Sequence, residues 1–477
     1  MPGSALPRVT RLFLAGNAVA MTGNGLVIAF TLIYLHQARG IALPVVGLLL
    51  AAGAAAGLLA VTVSGVLLDR LGARRVLTGI ILGQASAQVL LAWAHNAATA
   101  LPALLLYGAT WAPMFPAIAT AIAGLTPDPA AQQRVFAINF TAQNAAIGIG
   151  TVLGAAVANV HHPGSFQALF LANAVSCLIF AVVLTFLPAL RTAPARKEPR
   201  AGYRDVLARP GLRLVLVASL IVAFTAYPAF DSGLPAYASV EAHVSARVVA
   251  LSLTVNTALI VLAQLFVLRR VRRARRSSAL AISGLILATS WAIFGLAALP
   301  VAATGRIAFV FGFTALFGLG ETVLAPTVSP LVNRLTDDRL RGRANSLAAL
   351  SQSLAFIICP ALATGLIAAG AAAVWIGLLC AGCLATVAVG ARLRRALTSD
   401  QDHVTEAPAT RPEPVAGRRR AARPGTRVAD RAAGPGVGAQ IGWQAPAGVT
   451  VGDREDLGVA ADRGGRSIVQ GGSCVCG

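Results

Sequence analysis

Residues 65–75 read Gly65-Val-Leu-Leu-Asp69-Arg70-Leu-Gly72-Ala-Arg74-Arg75; they close one apolar run and lead into the next. The flanking runs, 44–68 and 76–94, are each close to the ~20 residues a helix needs to cross hydrocarbon. Where the chain leaves lipid, Asp69 places a carboxylate among Arg70, Arg74 and Arg75. Such a cluster can pair in one conformation and release in another, which suits a gate. Gly65 would let two helices approach closely, and Gly72 would allow a tight turn that a Cβ obstructs.

The same pattern extends along the chain. Hydrophobic residues make up 56% of it, charged residues 12%, and the mean hydropathy is +0.73. A soluble domain carries about 25% charged residues because its surface faces water. This chain lacks that coat, so its expected partner is the lipid bilayer. The apolar runs are 12–35, 44–68, 76–94, 100–125, 135–160, 166–188, 212–237, 248–268, 279–299, 306–331, 344–369 and 371–391. The expected fold class is an all-α membrane protein with about twelve transmembrane helices, multi-pass in the cell's inner (plasma) membrane. The first run continues to residue 35, past the length of a cleaved leader, and is read as a retained span.

Basic residues set the orientation. The net charge is +21, yet the arginines stand in short blocks between apolar runs without interleaved aromatics, so nucleic acid is not an expected partner. One side collects Arg8 and Arg11, Arg70 to Arg75, Arg134, seven basic residues between Arg191 and Arg213, Arg269 to Arg276, and Arg334 to Arg343. The other holds only Arg39, Arg247 and Arg306. That asymmetry places both termini in the cytoplasm and requires an even number of spans.

A polar stretch divides the core into halves with matching landmarks. Leu68-Asp69-Arg70 to Arg75 follows the second run, as Leu268-Arg269-Arg270 to Arg276 follows the eighth. Thr126 to Arg134 precedes the fifth run, as Thr336 to Arg343 precedes the eleventh. Duplicated halves are a common plan for secondary transporters. The expected division is 1–188 for a first six-helix bundle, 189–211 for a cytoplasmic loop, 212–395 for a second bundle and 396–477 for a tail. Beyond residue 398 the chain holds ten arginines and nine acids with no apolar periodicity, so the tail is expected to be disordered.

Few residues can carry chemistry inside the spans. Six cysteines make no disulfide framework; the Cys380–Cys383 pair has no second ligand pair near it, so packing is the expected role and no metal or cofactor is expected. Of nine acids before the tail, only Asp231 and Glu321 lie well within spans. A carboxylate at that depth costs at least ~3 kcal/mol and commonly marks an ion or substrate path. Glu321 shares a helical face with Thr314, Gly318, Ala325 and Ser329, and Asp231 shares one with Tyr227 and Pro235; Pro228 is expected to kink the helix there. Asn24, Asn139, Asn144 and Asn256 are further polar groups at depth, open equally to substrate binding and to helix bridging.

The stretch 65–75 resembles the loop signature of the major facilitator superfamily, GxxxDRxGxRR, and the resemblance covers about residues 11–395. It implies two pseudo-symmetric six-helix bundles around a central cavity that opens alternately to each side. It would make Gly65, Asp69, Arg70, Gly72, Arg74 and Arg75 a cytoplasmic latch. Asp69 would then lie near the start of the eleventh helix, around Arg341, Arg343 and Asn345, where a helix dipole favours an acid. Val255-Asn256-Thr257 to Gln264, and Gly320-Glu321 to Pro326 followed by Arg341-Gly342-Arg343, look like the multidrug-resistance-type, drug:proton antiporter branch. The chain departs from that branch in two places: Tyr107 to Trp111 has no arginine, and the glycines at 148, 150 and 154 lack the adjoining proline.

The expected function is proton-coupled export of small amphipathic molecules by a monomer, with Asp231 or Glu321 carrying the proton. Proton-coupled uptake on the same scaffold is the alternative, and a non-transporting sensor a third. No enzyme activity is expected, since Asp337-Asp338 is the only acidic pair in the core and no second acidic cluster could complete a magnesium–diphosphate site. No GxxxxGK[ST] occurs to bind ATP.

Overall fold

The computed structural model describes residues 6–126, 128–188, 203–272, 274–325, 327–336 and 338–402. Segment 189–202 of the expected loop, the expected tail from 403 onward, and the side chains of Arg341 and Ser329 lie outside the described residues.

In hydrocarbon a backbone must satisfy its own N–H and C=O groups, so apolar runs of this length fold as helices. Eleven single spans are long and apolar enough to cross a membrane, and a bent pair makes a twelfth. Span α1 is that pair, Arg8–Ile28 and Thr31–Ala38, bent by 40°. It is followed by α2 (Leu43–Leu71), α3 (Ala73–Ala92), α4 (Ala97–Leu125), α5 (Pro129–Val157) and α6 (Pro163–Thr185). The second set is α7 (Pro210–Thr225 and Tyr227–Val240), α8 (Ala246–Arg272), α9 (Arg276–Gly295), α10 (Ala303–Leu324), α11 (Asp338–Ala368) and α12 (Ala372–Ala396).

Three boundaries differ from the periodicity. The break in α7 falls at Ala226 (φ −107°, ψ −116°), ahead of Pro228, which sits in the first turn of the new segment. A proline lacks the N–H that would continue the helix and fits a helix start. Span α10 ends at Leu324, and Val328–Arg334 forms a separate short helix in a stretch whose sequence holds Pro326 and Pro330. Past α12, Ser399–Asp402 forms one helical turn, so ordered chain continues beyond residue 396.

The two sets of six helices pack alike. In the first, α1 lies on α5 and α6, α4 on α2 and α3, and α3 on α6. In the second, α7 lies on α11 and α12, α10 on α8 and α9, and α9 on α12. Each pairing in one set becomes a pairing in the other when the numbers shift by six. Lipid is as apolar as leucine, so close backbone approach holds such bundles together. At the α1–α5 crossing a Cβ on Gly150 would stand 2.9 Å from the Cα of Gly25, a spacing only glycine permits. The halves touch through α2 with α11 and α5 with α8, again partners under the same shift.

Candidate functional site

Among the described residues, close contacts between the halves are made at the arginine-poor end. Gly47 of α2 seats against Thr364 and Pro360 of α11. The Arg247 guanidinium on α8 donates to the Ala155 carbonyl of α5 at 3.3 Å, and a Cβ on Gly148 would stand 3.5 Å from Thr257. The three arginines of this end are all engaged: Arg39 donates to the Tyr34 hydroxyl at 2.8 Å and Arg306 to the Ala242 carbonyl at 3.3 Å.

The arginine-rich end is different. Among the described residues, neither Gly65 of α2 nor Gly342 of α11 has a heavy atom of another element within 4 Å of where a Cβ would stand. The close approach expected at Gly65 is not made among the described residues. Asp69 and Arg70 are exposed. Gly72 turns the chain with φ +79°, a conformation that favours glycine, and Arg74 donates to the Leu187 carbonyl at 2.7 Å. Arg75 is exposed and Arg343 half-buried. Among the described residues, the close packing of the halves at the arginine-poor end is not repeated at Gly65 or Gly342, which leaves space between them there.

The two acids at depth meet in that space. On the second segment of α7, Asp231 is exposed while Ser232 to Ala238 are all buried. The Tyr227 hydroxyl, one turn earlier, lies beside the Glu321 carboxylate on α10. Asp231 lies within charge–charge range of Glu321 and also of Tyr107, which belongs to α4 of the other half. Tyr107 in turn donates to Asn24 of α1 at 3.3 Å and stacks on Trp111 with centroids 5.8 Å apart. Phe115 continues the row edge-on to Trp111 at 5.4 Å. Asp231 of one half therefore stands near Tyr107, the first member of an aromatic row from the other. Tyr107 and Trp111 are absent from the candidates drawn from acids and amides, although 107, 111 and 115 recur at the helical interval of four.

The remaining candidates lie apart from this group. Asn139 accepts from the Asn17 amide at 2.8 Å, bridging α5 to α1. Asn256 donates to the Thr314 carbonyl at 3.0 Å, bridging α8 to α10, and Asn144 donates to the Phe140 carbonyl of its own helix at 2.9 Å. The small face expected to extend from Glu321 into a cavity is occupied: Thr314 and Gly318 are buried, and Gly318 packs on Asn256. Asn24 is buried, and its amide nitrogen has no hydrogen-bond partner. Cys380 and Cys383 are free and pack inside the second bundle.

Two like sets of six apolar spans define a multi-pass membrane protein. The Major Facilitator Superfamily model matches residues 12–300 and 243–445, so the chain belongs to the major facilitator superfamily. The chain is 28% identical over 263 residues to an uncharacterized MFS-type transporter, YttB, of Bacillus subtilis (strain 168), across 54% of this chain. The match spans 64% of that relative's length. Among solved structures it resembles an auto-inhibited POT family peptide transporter with a TM-score of 0.60 at 13% identity, covering 82% of this chain and 96% of that one. That likeness is one of fold.

Proposed function

We propose that the chain exports small amphipathic molecules from the cell in exchange for protons, by alternating access in the inner membrane. It acts as a monomer with both termini in the cytoplasm and with bundles at 1–188 and 212–395. The observation that carries this reading is the meeting of Asp231 with the Tyr227–Glu321 pair in the space between the halves, near Tyr107. Desolvation favours the neutral form of a carboxyl group, and contact with water favours release of its proton. A carboxyl that passes between open and closed surroundings can therefore take up a proton on one side and lose it on the other. The aromatic row of Tyr107 and Trp111 offers an apolar surface beside that charge, which fits an amphipathic molecule competing with the proton.

In this reading the arginine-rich end is the cytoplasmic end, as the positive-inside asymmetry supports. When it closes, Gly65 supplies the close approach, and Asp69 meets the start of α11 near Arg341 and Arg343. Arg70, Arg74 and Arg75 hold the latch at the membrane surface, and Gly72 sets the turn between α2 and α3.

The test is proton movement in everted membrane vesicles, read with a pH-sensitive dye during addition of a panel of lipophilic compounds. Wild type is compared with Asp231→Asn and Glu321→Gln at matched expression. A compound-dependent proton leak that either variant loses supports antiport; a leak unchanged in both removes the carboxylates from the mechanism. The peptide transporter of like fold gives a second reading, proton-coupled uptake, on the same residues. Proton entry together with a solute into right-side-out vesicles would favour it.

A further inference from the structure

Outside the central space, a groove of about 560 Å³ lies between α9 and α12 at the arginine-rich end. Its lining includes Arg275, Arg394 and Arg395 with Ser278, and the apolar Ile282 and Ala391. The helices come close here: a Cβ on Gly390 would stand 2.9 Å from the Ser277 carbonyl oxygen. Among the described residues the three guanidinium groups have no side-chain or carbonyl partner, and no acidic side chain lines the groove. The nearby carboxylate of Asp402 is committed: it accepts from the Ser277 N–H at 2.8 Å and the Ser277 hydroxyl at 2.6 Å, and is buried. Away from the arginines, Ile282 and then Leu285 continue along α9, 51% and 56% exposed.

We propose that this groove holds the headgroup of an anionic phospholipid, with an acyl chain laid along Ile282 and Leu285. Three unpaired cations at the end of a span attract an anion, and the exposed Ile282 and Leu285 beyond them lead into hydrocarbon. A free anion would satisfy the first feature and leave the second bare. Basic pockets between spanning helices on the positively charged side are a recurring form of headgroup site.

The test uses the full chain, purified in detergent and reconstituted into nanodiscs of phosphatidylglycerol mixed with phosphatidylcholine, with bound lipid counted by native mass spectrometry. Wild type retains phosphatidylglycerol in preference to phosphatidylcholine. Each arginine replaced, in R275Q, R394Q and R395Q, weakens that retention by roughly fivefold, and all three together by about 100-fold. Should the triple variant fail to insert, R395Q alone carries the test, since Arg395 is exposed and removing it leaves α12 intact. The control R8Q/R11Q, which removes two arginines from the first span at the same end, leaves retention unchanged. Equal retention in the triple variant, equal loss in the control, or displacement of the lipid by millimolar inorganic phosphate would each overturn the proposal.

Discussion

Tyr227 and Glu321 face each other across two helices: a phenol in the first turn after the break in α7 stands beside a carboxylate on α10. The break at Ala226 sets the direction of that phenol, so the backbone irregularity and the polar contact are one arrangement. A hydrogen bond to a charged group contributes about 1.5–3 kcal/mol. Tyr227→Phe is expected to slow compound-driven flux by roughly tenfold or more, with insertion and yield unchanged. Initial rates in vesicles measure this, and wild-type rates would show that the pair plays no part in transport.

Two glycines of the first bundle should respond oppositely to alanine. At Gly150 the added Cβ meets Gly25 and the backbone of Thr22, and overpacking of that kind costs about 1–3 kcal/mol. At Gly65 it meets nothing, and replacing a helical glycine stabilises by roughly 0.5–1 kcal/mol. Thermal unfolding of the purified variants should show G150A below wild type and G65A at or above it. If the arginine-rich end closes through Gly65, G65A also transports more slowly despite its stability.

Cross-linking reads which end is shut. With Cys474 and Cys476 replaced by serine, G148C/T257C should form a disulfide on mild oxidation, since a Cβ at 148 stands 3.5 Å from the Thr257 methyl. G65C paired with G342C should not, until a transported compound shifts the population. Mobility on non-reducing gels reports both, and rapid bridging of 65 with 342 in the resting protein would contradict the space described there.

The Asn17–Asn139 bond at 2.8 Å should act as a strut. Interhelical bonds of this type average ~0.6 kcal/mol in membranes, with a ceiling near ~1.7. A double-mutant cycle of N17A and N139A is expected to give a coupling in that range while transport rates hold. Loss of transport without loss of stability would instead return Asn139 to the substrate path.

Asp402 takes the N–H and hydroxyl of Ser277 at the start of α9, the place of a helix cap. Asp402→Ala should lower stability by about 1 kcal/mol. Truncation after residue 402 should be neutral and truncation after 397 should match the point variant, as measured by thermal unfolding.

The count of spans, their rough limits, the two halves and the exceptional status of Asp231 and Glu321 were all legible in the chain. Each follows from local chemistry: apolar length, arginine asymmetry, and the rarity of a carboxylate in lipid. The partners of those acids were not. Tyr107 reaches Asn24 over 83 residues of sequence, and it comes within range of Asp231 only when the halves pack. Nor did the pattern around Glu321 show that Thr314 and Gly318 would be taken up by Asn256, because a small polar face suits a helix neighbour as well as a cavity.

The sequence by itself determined that this protein lives in the membrane as paired sets of six helices, because lipid admits only long apolar helices and leaves basic residues on one side. Tertiary structure alone decided which polar groups meet and where the two halves pack closely. Those depend on how far each helix is rotated and how closely it approaches its neighbour, and the crossings at Gly25 and Gly150, and at Gly47 and Thr364, set both.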